Sequence, residues 1–288
     1  MARAYVTNGE IGHVFVINTL SNRVISMIPV GEGPSGVAVT PNGKHVYVAN
    51  SGWYKVSRTV SVISAKTNRV IATIPVGRGP RGVAVTPDGK RVYVTNSSSH
   101  TVSIINSKSN RVMATIPVGR GPEAIAVSPD GKQVYVGHAR SHTVSVINTK
   151  SNRVIARIAV GDSPRAVAVA PNGGRVYVAG KHVSVISAKT NRIMTTIPVG
   201  GNSLAITPNG SRVYVAGKHM SVISAKTNRI IATLPIEGTS LAVTPNGKRV
   251  YVAESFRVVV IYTPSNRVIG RIPIKAGSAE EIAISRNP

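Results

Sequence analysis

The stretch Gly82-Val83-Ala84-Val85-Thr86-Pro87-Asp88-Gly89-Lys90-Arg91-Val92-Tyr93-Val94-Thr95-Asn96 decides the fold. A short apolar run meets a Pro-Asp-Gly-Lys turn and is followed at once by a second run. The chain continues through the polar Ser97-Ser98-Ser99-His100 into Thr101-Val102-Ser103-Ile104-Ile105. A Lys108-Ser109-Asn110-Arg111 turn then leads to Val112-Met113-Ala114-Thr115-Ile116. Gly and Asn supply the positive φ that tight hairpins need. The runs lack the i, i+3, i+4 apolar spacing of a helix. Four short strands in about 40 residues describe one β-propeller blade.

The unit recurs along the whole chain. Its tyrosine returns at Tyr5, Tyr47, Tyr93, Tyr135, Tyr177, Tyr214 and Tyr251. An Asn-Arg pair returns in step at Asn22, Asn68, Asn110, Asn152, Asn191, Asn228 and Asn266. Intervals between tyrosines are 42, 46, 42, 42, 37 and 37, and joining the tail to the head adds a seventh of 42, which accounts for all 288 residues. The chain starts inside a repeat. Residues 281–285 read as an innermost strand without followers, and residues 4–8 as a second strand without a predecessor. Their pairing completes a blade and closes the ring. The expected fold is all-β: one seven-bladed propeller domain spanning residues 1–288, with four antiparallel strands per blade, expected to be a monomer.

Composition agrees. Only 4% of residues are aromatic against 42% hydrophobic, so the core rests on Val, Ile and Ala, which suit strands. No apolar run approaches the ~18 residues of a spanning helix. The absence of cysteine excludes disulfides and thiolate metal sites. The segment Met1-Ala2-Arg3-Ala4-Tyr5-Val6 has no charged-then-apolar leader pattern. The expected location is cytoplasmic for the sequence as given, or extracytoplasmic if a signal peptide was trimmed.

The runs Val83 to Asn96 and Val70 to Gly77 (Val-Ile-Ala-Thr-Ile-Pro-Val-Gly) resemble the YVTN family of β-propellers over the entire chain. That resemblance implies the propeller fold. Family relatives include surface-layer and extracytoplasmic binding proteins, while more distant propellers, such as virginiamycin B lyase and bacterial lactonases, are enzymes. A shared fold does not choose between these roles. One departure is systematic: an Arg follows the turn Asn where the family usually has an uncharged residue.

The net charge of +25 is unevenly placed. Loops joining first to second and third to fourth strands lie on one face, termed the bottom; the other loops form the top. Sorting by loop puts +20 on the bottom and +3 on the top. Arg23, Arg69, Arg111, Arg153, Arg192, Arg229 and Arg267 form the repeated bottom set. Such a field suits an anionic polymer or surface, with strong salt dependence. The bland reading is solubilising turn chemistry multiplied by duplication. Sequence-specific nucleic-acid binding is not expected, since no aromatic residues interleave the bottom turns.

The top face breaks the repeat. The residue opening each innermost strand is Ser35, Arg81, Glu123, Arg165, Asn202, Thr239 and Glu280 in turn, which should ring the channel mouth. The Asn kept at Asn8, Asn50 and Asn96 becomes His138 in a later blade and Glu254 in the last, and Trp53, Tyr54 and Phe256 occupy top loops. Three readings follow. In the first, a binding module holds a small molecule or peptide on Ser35, Asn202, Thr239, Glu254, Glu280, Trp53, Tyr54 and Phe256. In the second, a lyase, lactone hydrolase or cyclase uses His138 as base, Glu123, Glu254 or Glu281 as acid or orienting group, and Arg81 or Arg165 for the anion. The bland alternative to that chemistry is an ion-pair network in which Arg81, Glu123 and Arg165 neutralise one another. In the third, the wheel is a scaffold without a small ligand, as the near identity of Val183 to Ile193 with Ser221 to Ile230 suggests. No cofactor and no metal are expected. Five of the six top-face histidines sit at or just before third strands, away from the axis, too far apart for one ion.

Overall fold

The computed structural model describes residues 2–52, 56–161, 163–274 and 277–285. Seven four-stranded antiparallel sheets form the wheel. Blade 1 is built from both ends of the chain: β28 (Ala279–Ile284), β1 (Arg3–Asn8), β2 (His13–Asn18) and β3 (Arg23–Pro29) lie in that order from the axis outward. Tyr5 pairs with Ala283 and Val6 with Ile282, and a register shift follows before Asn8. The closing strand starts two residues earlier than the sequence suggests, because Ala279 pairs with Asn8 beyond that shift.

Blades 2 to 7 each use four consecutive strands. Their innermost strands are β4 (Pro34–Val39), β8 (Pro80–Val85), β12 (Pro122–Val127), β16 (Ala166–Val169), β20 (Ser203–Ile206) and β24 (Ser240–Val243). These pack side by side with β28 around the axis. All seven turn asparagines of the Asn-Arg pairs have φ between 52° and 57°, the left-handed region that Asn tolerates and β-branched residues do not.

Blade-to-blade packing supplies the core. All seven repeat tyrosines are fully buried. Between blades 1 and 2, Tyr5, Val14, Val16 and Ile28 meet Val37, Val46, Val48 and Ile63, and the same layer recurs at the other junctions. Each such aliphatic side chain contributes roughly 1.5–3 kcal/mol by leaving water.

Polar latches on the bottom reinforce five of the seven blade junctions. The guanidinium of Arg249 in blade 7 donates to the Thr19 carbonyl of blade 1 at 2.5 Å, and Arg91 of blade 3 donates to Thr149 of blade 4 at 2.6 Å. Arg3, Arg175 and Arg212 reach Ala65, Ala225 and Thr263 in the same manner. Five of the bottom-face cations therefore hold neighbouring blades together. Blades 2 and 4 have His45 and Gln133 at this place, and there Tyr47 Oη donates to Asn110 Oδ1 while Tyr135 Oη donates to Gln133.

Candidate functional site

The channel mouth is where the blades stop being copies. Ser35, Arg81, Glu123, Arg165, Asn202, Thr239 and Glu280 all line one cavity of about 260 Å³ at the axis. The inner strands run nearly parallel around the axis, so equivalent positions converge there, as the loop sorting anticipates. Beneath the polar ring the wall turns apolar, with Val83, Val167, Leu204, Leu241 and Ile282.

Within the ring, side chains are only partly committed to the protein. Arg165 Nη1 donates to Asn202 Oδ1 at 3.1 Å. Thr239 Oγ1 donates to the Ala279 carbonyl at 2.8 Å, and Ser35 Oγ lies 2.8 Å from Ser51 Oγ. The Ser278 hydroxyl lies within hydrogen-bond reach of Glu280 and Glu10. Arg81 and Glu123 form no ion pair with any described residue, and neither does Arg165 with Glu123 or Glu280. The ring therefore holds unneutralised guanidinium and carboxylate groups facing one small space.

Glu281 adds a second departure from the repeat. The residue after each ring position is Gly36, Gly82, Ala124, Ala166, Ser203 and Ser240 in the other six blades. It faces the next inner strand: a Cβ built on Gly36 would lie 1.9 Å from the Arg81 carbonyl oxygen. Ser203 and Ser240 use the place to accept backbone N–H groups of Leu241 and Ile282. Only blade 1 puts a carboxylate there. The Glu281 backbone is fixed by Thr7, whose Oγ1 accepts from the Glu281 N–H at 3.0 Å and donates to the Ser35 carbonyl at 2.7 Å. Burial, with the neighbouring Glu280 carboxylate adding to it, pushes the Glu281 acid up to about 8.

His138 lies elsewhere. It is fully buried in blade 4, with Nε2 2.8 Å from Ser145 Oγ, and is not among the residues lining the cavity. Its place is that of Asn50 and Asn96, whose amides donate to Ser61 and Ser103 of their third strands. Burial, together with the charge of Arg157, lowers the imidazole to about 4, so it is neutral at ordinary pH. Such residues aim outward within the blade, and a glycine of the preceding connection leaves them room: a Cβ on Gly119 would lie 3.0 Å from the His138 ring.

The remaining sequence candidates scatter. Glu254 is paired with Arg257 at the start of a third strand, and Phe256, 67% exposed, sits in the same loop outside the cavity. Trp53 and Tyr54 lie outside the described residues. The seven bottom arginines, Arg23 to Arg267, are all exposed. Among the described residues, no three His, Asp or Glu side chains converge as a metal centre would require. His100 instead accepts the Gly121 N–H on Nδ1 at 3.2 Å, a turn-capping contact.

The wheel matches known propellers. Residues 84–175 match the sequence model of the YNCE-like β-propellers, and residues 3–112 match that of the seven-bladed lactonase β-propellers. The chain is a seven-bladed β-propeller of YVTN-type repeats. Among solved structures, this propeller superposes on a functionally unknown protein from Desulfotomaculum acetoxidans with a TM-score of 0.86, at 17% identity and with 99% of each chain covered. Hydrazine synthase of Kuenenia stuttgartiensis matches with a TM-score of 0.76, at 22% identity over 85% of this propeller and 87% of that chain. At such identities the shared property is the fold. No curated protein matches the chain at a significant level.

Proposed function

We propose that this propeller is a binding module that holds a small charged molecule, or a peptide end, in the mouth of its central channel. One observation carries the reading: seven equivalent positions at which the repeats diverge in charge and polarity line a single cavity. Duplication preserves what builds the wheel, so divergence at all seven positions that converge on one cavity supports a role in recognition. Arg81 and Arg165 supply donors for an anionic group, and Glu123 and Glu280 supply acceptors for a cationic one. A zwitterion such as an amino acid or a short peptide satisfies both. The exposed bottom arginines, separate from the latch arginines, would dock the wheel on an anionic surface.

A thermal-shift panel of amino acids, dipeptides and dicarboxylates tests the reading. Stabilising compounds are to be titrated by calorimetry into wild type, Arg81→Ala and Glu123→Ala. Binding that weakens tenfold or more in either variant supports it; binding indifferent to both removes it.

A second reading rests on the lactonase match and on Glu281. A carboxyl of raised proton affinity that lines the same cavity as two guanidinium groups suits general acid or base work on a lactone. In that case Glu281 carries the proton, Arg81 or Arg165 stabilises the oxyanion, and His138 takes no direct part. Proton release from a panel of lactones, compared between wild type and Glu281→Gln, separates hydrolysis from binding alone.

A further inference from the structure

The bottom face also departs from the repeat, and at the junction of blades 7 and 1 the departure is toward apolar residues. The third residue of each third-to-fourth turn is Lys66, Lys108, Lys150, Lys189 and Lys226 in blades 2 to 6, but Leu20 in blade 1 and Pro264 in blade 7. The last residue of each third strand is Asn or Ser in six blades and Tyr262 in blade 7. Leu20 and Tyr262 come from different blades, yet they line the same groove, together with Ile269, Pro245 and Ala2. The groove has a volume of about 660 Å³, within the range of ligand pockets. Leu20 is 69% exposed, Ile269 48% and Tyr262 39%.

The corresponding groove between blades 1 and 2 is lined by Lys44 and Lys66 and, among the described residues, has no large apolar one besides Tyr5. Two independent changes have thus removed polar or cationic side chains from one groove and put apolar ones in their place. Cations remain at its edge. Arg249 is committed to the Thr19 carbonyl, but the exposed Lys248 ammonium has no partner among the described residues. Among the described residues, no acidic one lines the groove. An apolar floor with one free cation at its rim, on a face carrying a large positive field, complements an apolar body that ends in an anion.

We propose that the groove between blades 7 and 1 is a second binding site, for a small amphipathic carboxylate whose hydrocarbon lies on Leu20, Tyr262 and Ile269 and whose carboxylate meets Lys248. It does not depend on the channel mouth.

The repeat itself provides the test variant. Leu20→Lys combined with Tyr262→Asn restores the residues that other blades carry at these places, so the wheel keeps its fold. Circular-dichroism melting checks that it does. The probes are 8-anilinonaphthalene-1-sulfonate, read by fluorescence, and decanoate below its micellar concentration, read by displacement of that dye. One saturable site per chain is expected, displaced by decanoate, at least tenfold weaker in the double variant, several-fold weaker in Lys248→Ala and unchanged in Arg81→Ala. Dye binding of equal strength in the folded double variant would overturn the proposal. So would a stoichiometry near seven, which would mark a property common to all junctions, or a lack of displacement by decanoate.

Discussion

The hydroxyl of Tyr251 donates to Oδ1 of Asn22 at 2.6 Å, although 229 residues separate them in sequence. The contact joins the last blade to the first. Tyr47 reaches Asn110 at 3.0 Å and Tyr214 reaches Asn266 at 2.9 Å by the same arrangement. The hydroxyl of Tyr177, in contrast, is buried without a partner. Tyr251→Phe should therefore lower stability by about 1 kcal/mol or slightly more, since Asn22 loses a buried donor. Tyr177→Phe should be close to neutral. Urea unfolding of the two variants side by side checks the difference, and equal losses would contradict it.

Arginines on the bottom divide into two kinds. Arg249 bridges blades through the Thr19 carbonyl, whereas Arg69 and Arg111 are exposed and make no side-chain bond to a described residue. Arg249→Ala is expected to cost about 1.5–3 kcal/mol, the range for a hydrogen bond to a charged group. Arg69→Ala with Arg111→Ala should leave stability within about 0.5 kcal/mol. That pair should instead elute earlier from heparin, and wild-type retention should fall steeply with salt. Retention that resists moderate salt or survives the double substitution would count against the basic face as a docking surface.

The Glu281 acid, raised to about 8 by burial and by Glu280, binds its proton more tightly in the folded chain than in the unfolded one. Its contribution to stability is complete below the unfolded value near 4.5 and is lost as pH rises through 8. The slope is at most about 1.4 kcal/mol per pH unit. His138 acts in the opposite direction: lowered to about 4, it makes the fold lose stability as pH falls from 6.5 through 4. Between pH 6.5 and 8 Glu281 should contribute a falling slope. Glu281→Gln is expected to flatten that segment in a series of urea titrations. A slope that persists there would place the titration on another group.

His138→Asn should preserve the fold, because Asn50 and Asn96 fill the equivalent place with the same contact to a third-strand serine. It should also remove the share of the acid-side loss that His138 contributes between pH 6.5 and 4, while leaving ligand affinity or turnover unchanged. Abolished function in this variant, with its melting temperature retained, would return His138 to the reacting centre.

The wheel could be read from the sequence because its two markers are bound to each other. The tyrosine and the turn asparagine recur in step, and in three blades they form one hydrogen bond. Ring positions were legible for a similar reason, since strand order alone carries them to the axis. Side-chain direction was less legible. His138 ends a second strand close to the channel, but the pleat turns it toward the third strand, which residue type does not reveal. The signal for Glu281 was present in the row of small residues at Gly36, Gly82, Ala124, Ala166, Ser203 and Ser240. The same blade-by-blade comparison exposes Leu20 and Tyr262. The latch role of Arg249 was hidden because a charge at a turn reads as solvated until its partner in the next blade is placed.

The central claim is that recognition resides in the divergent ring at the mouth and not in the repeated turns. A crystal structure of the propeller with the strongest compound from the thermal-shift panel tests it most directly. The account predicts the compound in the central cavity, in contact with Arg81 or Arg165 and with Glu123 or Glu280. A compound bound elsewhere, with the mouth unoccupied, would contradict it.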